Sequence, residues 1–131
     1  MIVIDSSYAL ALVMPDEERP ASMREVLQDG LAAPMIWPIE IASAMRTSLR
    51  RGRLNERQVA GLCADVGEFE VEVVAAVHAL PRRYLDAALV HDLTPYDAMY
   101  LELALLRRGG LATRDAALAA AAERAGLTVH R

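Results

Sequence analysis

Short apolar runs alternate along the chain with longer segments in which apolar residues recur at helical spacing. The first run, MIVI, is short and rich in β-branched residues, which is typical of a fully buried strand, yet it leads directly into Asp5. The pattern predicts strands over residues 1–5, 33–37, 70–74, 111–113 and 128–130. It predicts helices over residues 6–14, 17–28, 38–51, 55–66, 81–93, 95–108 and 115–125. Pro38 and Asn55 stand where a first-turn proline and a helix cap are favoured.

Strands that alternate with helices, and that are too apolar to face water, predict an α/β protein. We expect a short central, mostly parallel sheet of about four to five strands with helices on both faces. The length of 131 residues fits a single domain over residues 1–131. In such folds, sites form beyond the carboxyl ends of the strands, at the topological switch point.

Amino-acid composition and net charge exclude several classes of protein. The chain is 54% apolar, which excludes disorder, and no apolar stretch is long enough for a bilayer. The N-terminus lacks a basic lead, so we expect no secretory signal and a cytoplasmic protein, with the single Cys63 as a small core residue. The net charge of −4 does not favour a general nucleic-acid binder. All 14 basic residues are arginine. Five of them form a cluster that is either a solvated helix end or a phosphate-binding patch, namely Arg46, Arg50, Arg51, Arg53 and Arg57.

Four carboxylates each stand at the start of a predicted helix: Asp5, Glu40, Asp97 and Asp115. Each alone has a structural explanation as a cap or as a partner of the helix dipole; Asp97, for example, lies three residues after the predicted N-cap Thr94. Because at least three of these helices follow strands of one parallel sheet, the acids should converge. Converging carboxylates repel one another, and a hard divalent cation such as Mg²⁺ or Mn²⁺ relieves that repulsion. The sequence therefore predicts an acidic metal site.

Four motifs give the chain a family resemblance. They are the apolar strand ending D-S-S, then P-x-E-x-A-x-A, T-x-Y-D-A-x-Y-L-x-L-A and L-A-T-x-D-x-x-L. Together they span essentially the entire chain and resemble the PIN-domain ribonucleases, in particular the VapC-type toxins of bacterial toxin–antitoxin pairs. The resemblance implies a three-layer PIN-like fold and a single PIN domain over residues 1–131.

The resemblance also implies roles for individual residues. The four acids, Asp5, Glu40, Asp97 and Asp115, would be the catalytic and metal-binding residues. Ser6 and Thr113 would be supporting hydroxyls. Ser43 stands where many members have asparagine, and its shorter side chain leaves its supporting role open.

The implied activity is that of an endoribonuclease. Mg²⁺ or Mn²⁺ would bind a phosphate oxygen and lower the pKa of an attacking water, leaving a 5′-phosphate and a 3′-hydroxyl. Arginines would bind the RNA phosphates on either side of the cleaved bond. The candidates are Arg46, Arg50, Arg51, Arg53 and Arg114. The implied partners are an RNA substrate, which in the family includes transfer RNA, a cognate antitoxin protein and a second copy of the chain. We expect the helix near residues 20–28 and the helix from Asn55 to flank the antitoxin groove.

The same residues bear on three other functions. A phosphatase with Asp5 as nucleophile, or a receiver domain, needs a lysine that the chain lacks. A catalytically silent PIN-like protein-binding module stays open. Trp37, Tyr96 and Tyr100 are expected in the core, with base stacking by Tyr96 as the functional alternative.

Overall fold

The computed structural model describes residues 1–76 and 78–131. Within them the chain forms five strands and seven helices. The strands are β1 (Ile2–Ile4), β2 (Leu31–Pro34), β3 (Glu72–Val74), β4 (Gly110–Ala112) and β5 (Val129–His130). The helices are α1 (Ser6–Val13), α2 (Met23–Leu27), α3 (Trp37–Arg50), α4 (Glu56–Gly67), α5 (Pro81–His91), α6 (Pro95–Arg107) and α7 (Ala116–Arg124). None of the helices in this part of the chain has the length and apolar character needed to span a bilayer.

All five strands are parallel and lie in the order β3-β2-β1-β4-β5. The central strand β1 pairs on one side with β2 and on the other with β4, so that Val3 lies opposite both Ala32 and Leu111. The chain builds the sheet outward from β1 to β3 and then returns to the other side of β1 as β4. The topological switch point therefore lies between β1 and β4, and α/β folds place their sites beyond the carboxyl ends of these two strands.

The helices cover the sheet in two layers. Helices α1, α3 and α4 contact one another, whereas α6 packs against β1, β2 and β4 and also contacts α5 and α7. Ile2, Val3 and Ile4 are almost wholly buried between these layers, because a strand covered on both faces has no solvent side. The predicted α/β fold, with a parallel sheet and helices on both faces, is confirmed.

Two predicted elements have wrong bounds. The helix expected over residues 17–28 is only the five-residue α2, because Pro20 lacks a backbone N–H and disfavours helix in the residue before it. Part of this segment folds back instead, and Arg19 Nη1 donates hydrogen bonds to the carbonyls of Ala11 and Met14, both 2.9 Å away. The second strand begins and ends earlier than residues 33–37, because Trp37 already belongs to α3.

Some expected core residues are at the surface. Cys63 is exposed, since α4 packs on the core through the neighbouring face of Val59, Leu62 and Val66. Tyr96 is 59% exposed, so its predicted core position is wrong. Trp37, by contrast, is buried as expected.

Candidate acidic site

Asp5 lies at the carboxyl end of the central strand. Its backbone N–H donates to the Ala112 carbonyl at 2.9 Å, which joins β1 to β4 beyond the last strand residue. Its side chain is 4% exposed. Asp5 occupies the N-cap position of α1 but makes no side-chain capping bond. Its Oδ2 accepts hydrogen bonds from Ser7 Oγ at 2.6 Å and from Thr113 Oγ1 at 2.7 Å. The side chain is therefore held by hydroxyl groups rather than used as a helix cap.

Thr113 connects two of the predicted acids. It is fully buried, donates to Asp5, and accepts a hydrogen bond from the Asp115 N–H at 3.0 Å. Asp115 in turn caps α7, because its Oδ1 accepts from the Leu118 N–H at 2.8 Å. One threonine hydroxyl thus links the ends of β1 and β4, whereas the supporting role that the resemblance implies for Thr113 stays a prediction.

Ser7 is a site residue that the sequence did not reveal. Besides its bond to Asp5, its Oγ accepts a hydrogen bond from the Arg114 N–H at 3.0 Å. The predicted supporting residue Ser6 lies farther from Asp5, with Oγ 3.3 Å from Oδ1. Of the two serines, Ser7 therefore makes the shorter bond to the carboxylate. The available signal was its place two residues after Asp5, where a side chain can bond back to an aspartate.

Glu40 reaches the site from the first turn of α3. Its Oε1 accepts a short hydrogen bond from the Tyr100 hydroxyl and lies 3.4 Å from Ser6 Oγ. Tyr100 is fully buried, and burial, together with the hydrogen bond to Glu40, raises the pKa of Tyr100. Tyr100 was predicted as a core residue only, and its polar contact was missed. Its place three residues after Asp97 was the available signal, since such residues share a helix face.

Asp97 shows that the four acids act on one another. Its backbone N–H donates to Thr94 Oγ1 at 3.2 Å, so the predicted cap of α6 is present. Burial raises the pKa of Asp97 to about 6, and the negative charges of Asp115, Asp5 and Glu40 raise it in the same direction. The structure therefore brings the other three carboxylates close enough to act on Asp97. Their catalytic and metal-binding roles stay predictions.

The donor atoms of this site suit a metal ion, whereas the arrangement of the side chains does not yet form a metal-binding group. Within residues 1–76 and 78–131, no three Asp, Glu, His or Cys side chains are arranged so that they could hold a metal ion. The donors that face one another are nevertheless all oxygen atoms, which suits a hard divalent cation. Burial first, and then the charges of Asp115, Asp5 and Glu40, raise the pKa of Asp97, and a bound cation would oppose both effects. The donor chemistry fits Mg²⁺ or Mn²⁺, and binding would require the carboxylates to draw closer together.

The remaining predicted residues lie around this centre. Ser43 is exposed and lines a cleft of about 470 Å³ that also includes Ser6 and Glu40. Arg114 lines a second cleft with Thr113 and Asp115. The other predicted RNA-binding arginines, Arg46, Arg50 and Arg51, are exposed and line neither cleft.

Comparison with known proteins identifies the class. The sequence model of the PIN domain family matches residues 2–125. The chain is also 33% identical over 122 residues to Ribonuclease VapC3 of Pyrobaculum aerophilum, an alignment that covers 90% of this chain and 92% of that protein. The chain therefore belongs to the PIN domain family. Within the family, its predicted resemblance to the VapC-type ribonucleases is confirmed.

Solved structures show the same fold. The crystal structure of PAE2754 from Pyrobaculum aerophilum has a TM-score of 0.73 at 22% identity and covers 98% of this chain and 82% of its own. The crystal structure of FitAcB from Neisseria gonorrhoeae has a TM-score of 0.66 at 16% identity, covering 100% of this chain and 97% of that one. At these identities the likeness concerns the fold.

Proposed function

We propose that this protein is a Mg²⁺- or Mn²⁺-dependent endoribonuclease and the toxin component of a type II toxin–antitoxin pair. The observation that carries the proposal is the placement of four carboxylates around the switch point of the sheet, where burial and the charges of the other three acids together raise the pKa of Asp97 to about 6. The 33% identity to Ribonuclease VapC3 supports the same activity. PIN-domain nucleases generally use divalent metals.

Asp5, Glu40, Asp97 and Asp115 are the residues that would hold the cation. When bound, the cation would supply charge stabilisation at the phosphate and lower the pKa of an attacking water. The protein's own part is to hold the carboxylates in place. Ser7 and Thr113 orient Asp5, Tyr100 orients Glu40, and Asp97 or Asp115 would orient the water for in-line attack. The products would carry a 5′-phosphate and a 3′-hydroxyl.

The substrate we propose is a structured RNA, with transfer RNA as a candidate, and the reaction would take place in the cytoplasm, where such RNA is found. A net charge of −4 favours local phosphate contacts over RNA binding through a broad basic face. Local contacts must serve instead, and Arg114 is well placed because it follows Thr113 at the edge of the site and lines a cleft with Asp115.

The proposed protein partners are a cognate antitoxin and a second copy of this chain. The resemblance to VapC-type toxins supports both. The structure adds one supporting feature for a homodimer, since α5 exposes Leu85, Leu89 and Val90 to solvent at 47%, 69% and 77%. Leu85 and Leu89 lie one turn apart on the same face of the helix, with Val90 next to that face, and exposed apolar residues grouped in this way are common at protein contact surfaces.

Cleavage of a total RNA pool tests the proposed activity. The wild-type protein should cleave RNA with Mg²⁺ and stop when a chelator is added, and Asp97→Asn should lower the rate by about 100-fold or more. Asp92→Asn is a matched control, because Asp92 is an exposed residue with a left-handed backbone that asparagine tolerates. Equal, chelator-resistant cleavage by the wild type and Asp97→Asn would contradict the mechanism.

One observation favours a second candidate function, a catalytically silent PIN-like module that binds protein. Among residues 1–76 and 78–131, no three Asp, Glu, His or Cys side chains form a group that could hold a metal ion. Thermal unfolding with and without Mn²⁺ separates the two candidates. An ion that binds only the folded state at about 100 times its Kd should add roughly 2.7 kcal/mol to the free energy of unfolding. A silent module should show no change.

A further inference from the structure

A cleft runs from the acidic site along the groove between α1 and α3. Its volume is about 470 Å³. Its lining comes from α1, from the segments that follow α1 and α3, and from one side of α3. The residues are Ser6, Ser7, Leu10, Met14, Glu17, Glu40, Ser43, Ala44, Thr47, Ser48 and Arg53.

The contribution of α3 follows helical spacing. Residues 43, 44, 47 and 48 follow Glu40 by three, four, seven and eight positions, so all five residues lie on one face of the helix. From Glu40 to Ser48 this face extends about 12 Å, at a rise of 1.5 Å per residue. The cleft therefore begins at a carboxylate of the acidic site, continues past the hydroxyls of Ser43 and Thr47, and ends near Arg53, just after α3.

Arg53 is held in the cleft by a contact that can be exchanged. Its guanidinium forms an ion pair with Asp16, in the segment after α1, and the two side chains are 48% and 50% exposed. Its backbone N–H donates to the Ser48 carbonyl at 3.0 Å, which fixes where the side chain begins. An ion pair this exposed contributes little to stability, so a competing anion can replace Asp16 at small cost.

We propose that this cleft holds the RNA strand next to the cleaved bond, and that Arg53 releases Asp16 to bind a backbone phosphate. The inference rests on the proposed function, which places the reacting phosphate at the acidic end of the cleft. Arginine suits the role because its guanidinium can bind two phosphate oxygens at once. Glu17 also lines the cleft, so attraction for a polyanion there is local to Arg53.

The structure supplies matched variants for the test. Arg53→Ala removes the proposed phosphate contact, and Arg83→Ala removes the same charge from α5 at a position that does not line the cleft. Asp16→Asn frees Arg53, and Glu18→Gln removes a negative charge from the same segment outside the cleft lining. All four side chains are exposed, so each variant should fold.

Binding is measured by fluorescence anisotropy with a labelled oligouridine and a labelled random-sequence RNA. Every protein carries Asp97→Asn, so that the RNA stays intact during the measurement. We expect Arg53→Ala to raise the Kd about fivefold at low salt and to reduce the dependence of log Kd on log salt by about 0.7, the loss of one phosphate contact to a single strand. We expect Asp16→Asn to lower the Kd by a similar factor, and both controls to stay near the parent value.

The proposal is overturned if Arg53→Ala and Arg83→Ala weaken binding equally, if neither does, or if the parent protein binds neither RNA. Loss of binding in Arg53→Ala without any cleavage by the wild-type protein would support the cleft and contradict the proposed function. Cleavage that is normal in Arg53→Ala, with unchanged RNA binding, would support the proposed function and leave the cleft to another occupant, such as a protein segment.

Discussion

The two halves of the acidic site hold their carboxylates in different ways. At the ends of β1 and β4, Asp5 is buried and accepts hydrogen bonds from Ser7 and Thr113 at 2.6 and 2.7 Å. At the start of α6, Asp97 lies in the field of three other acids, and its pKa is raised to about 6. One carboxylate is stabilised by neutral donors, whereas the other is destabilised by burial and like charges.

This difference separates positioning from charge. Hydroxyl donors hold Asp5 in place whether or not a cation is bound, because they remain good partners for a carboxylate in either case. Asp97 has no comparable compensation, so its charge is the one that a cation would most relieve. The strand-end half, with Asp5, is therefore preorganised. We expect a bound cation to relieve mainly the charge of Asp97, in the helix-start half.

The largest expected effect comes from changing Asp5. Asp5→Asn should lower the free energy of unfolding by about 3 kcal/mol, because the amide replaces charge-assisted bonds and places its NH₂ group among buried hydroxyls. Urea unfolding at neutral pH measures the change. The comparison between the two halves fails if Asp5→Asn and Asp97→Asn alter stability by the same amount in the same direction.

Thr113→Val tests the bridge between the strand ends. The substitution keeps the shape of a fully buried side chain but removes the donor to Asp5 and the acceptor for the Asp115 N–H. We expect a loss of about 2 kcal/mol, since the buried Asp5 carboxylate loses a donor and the partly buried Asp115 N–H is left unpaired. Thr128→Val is the control at an exposed threonine. Equal effects of the two substitutions on urea unfolding would show that the bridge contributes nothing.

The pH dependence of stability distinguishes the Asp97 half. The pKa of Asp97 in the folded protein is about 6, above its ordinary value of 3.8, so the folded state binds more protons than the unfolded state between these values. Its stabilising contribution is fully present below about pH 4 and is lost as pH rises through about 6. After a discount for solvent screening, we expect a decrease of about 1 to 2 kcal/mol in metal-free protein.

Asp97→Asn is the variant that checks this interpretation. Without the titrating carboxyl, the decrease between about pH 4 and pH 6 should become smaller, and the variant should exceed the wild type in stability near neutral pH by about 1 kcal/mol. Thermal or urea unfolding across this pH range, in the presence of a chelator, gives the measurement. An unchanged pH profile would assign the charge conflict to another carboxylate.

The fold could be predicted from the sequence to the extent that the apolar pattern was local and regular. The short buried strands and the helices with clear caps, such as Asn55 before α4, were predicted with nearly correct bounds. The segment over residues 17–28 could not be, because its polar residues suit a helix but Pro20 and the bonds of Arg19 to α1 favour an irregular turn. Which way a half-apolar helix faces, as for Cys63, depends on packing partners distant in sequence.

The four acids of the site could be predicted because each stands at a helix start that a parallel sheet brings to one edge. The hydrogen bonds that orient them could not. Ser7 and Tyr100 reach Asp5 and Glu40 through side-chain geometry, and Tyr100 also has the spacing of an ordinary core residue. Only the relative placement of α3 and α6 in the folded protein shows that the Tyr100 hydroxyl donates to the Glu40 carboxylate, 60 residues away in the chain.

The smallest effect we predict concerns that hydroxyl. Tyr100→Phe should lower the free energy of unfolding by about 1 kcal/mol, because Glu40 loses its closest donor while the aromatic ring still fills the core. If Tyr100 also orients Glu40 for the reaction, kcat should fall several-fold with little change in KM.

Tyr96→Phe is the matched control, since Tyr96 stands in the same helix one residue before Asp97 but is exposed. Stability measured by urea unfolding and cleavage measured on one RNA separate the two effects. A loss of stability with unchanged kcat would make Tyr100 a structural partner of Glu40 alone, and the helix-start half of the site would then depend on charge rather than on hydrogen bonds.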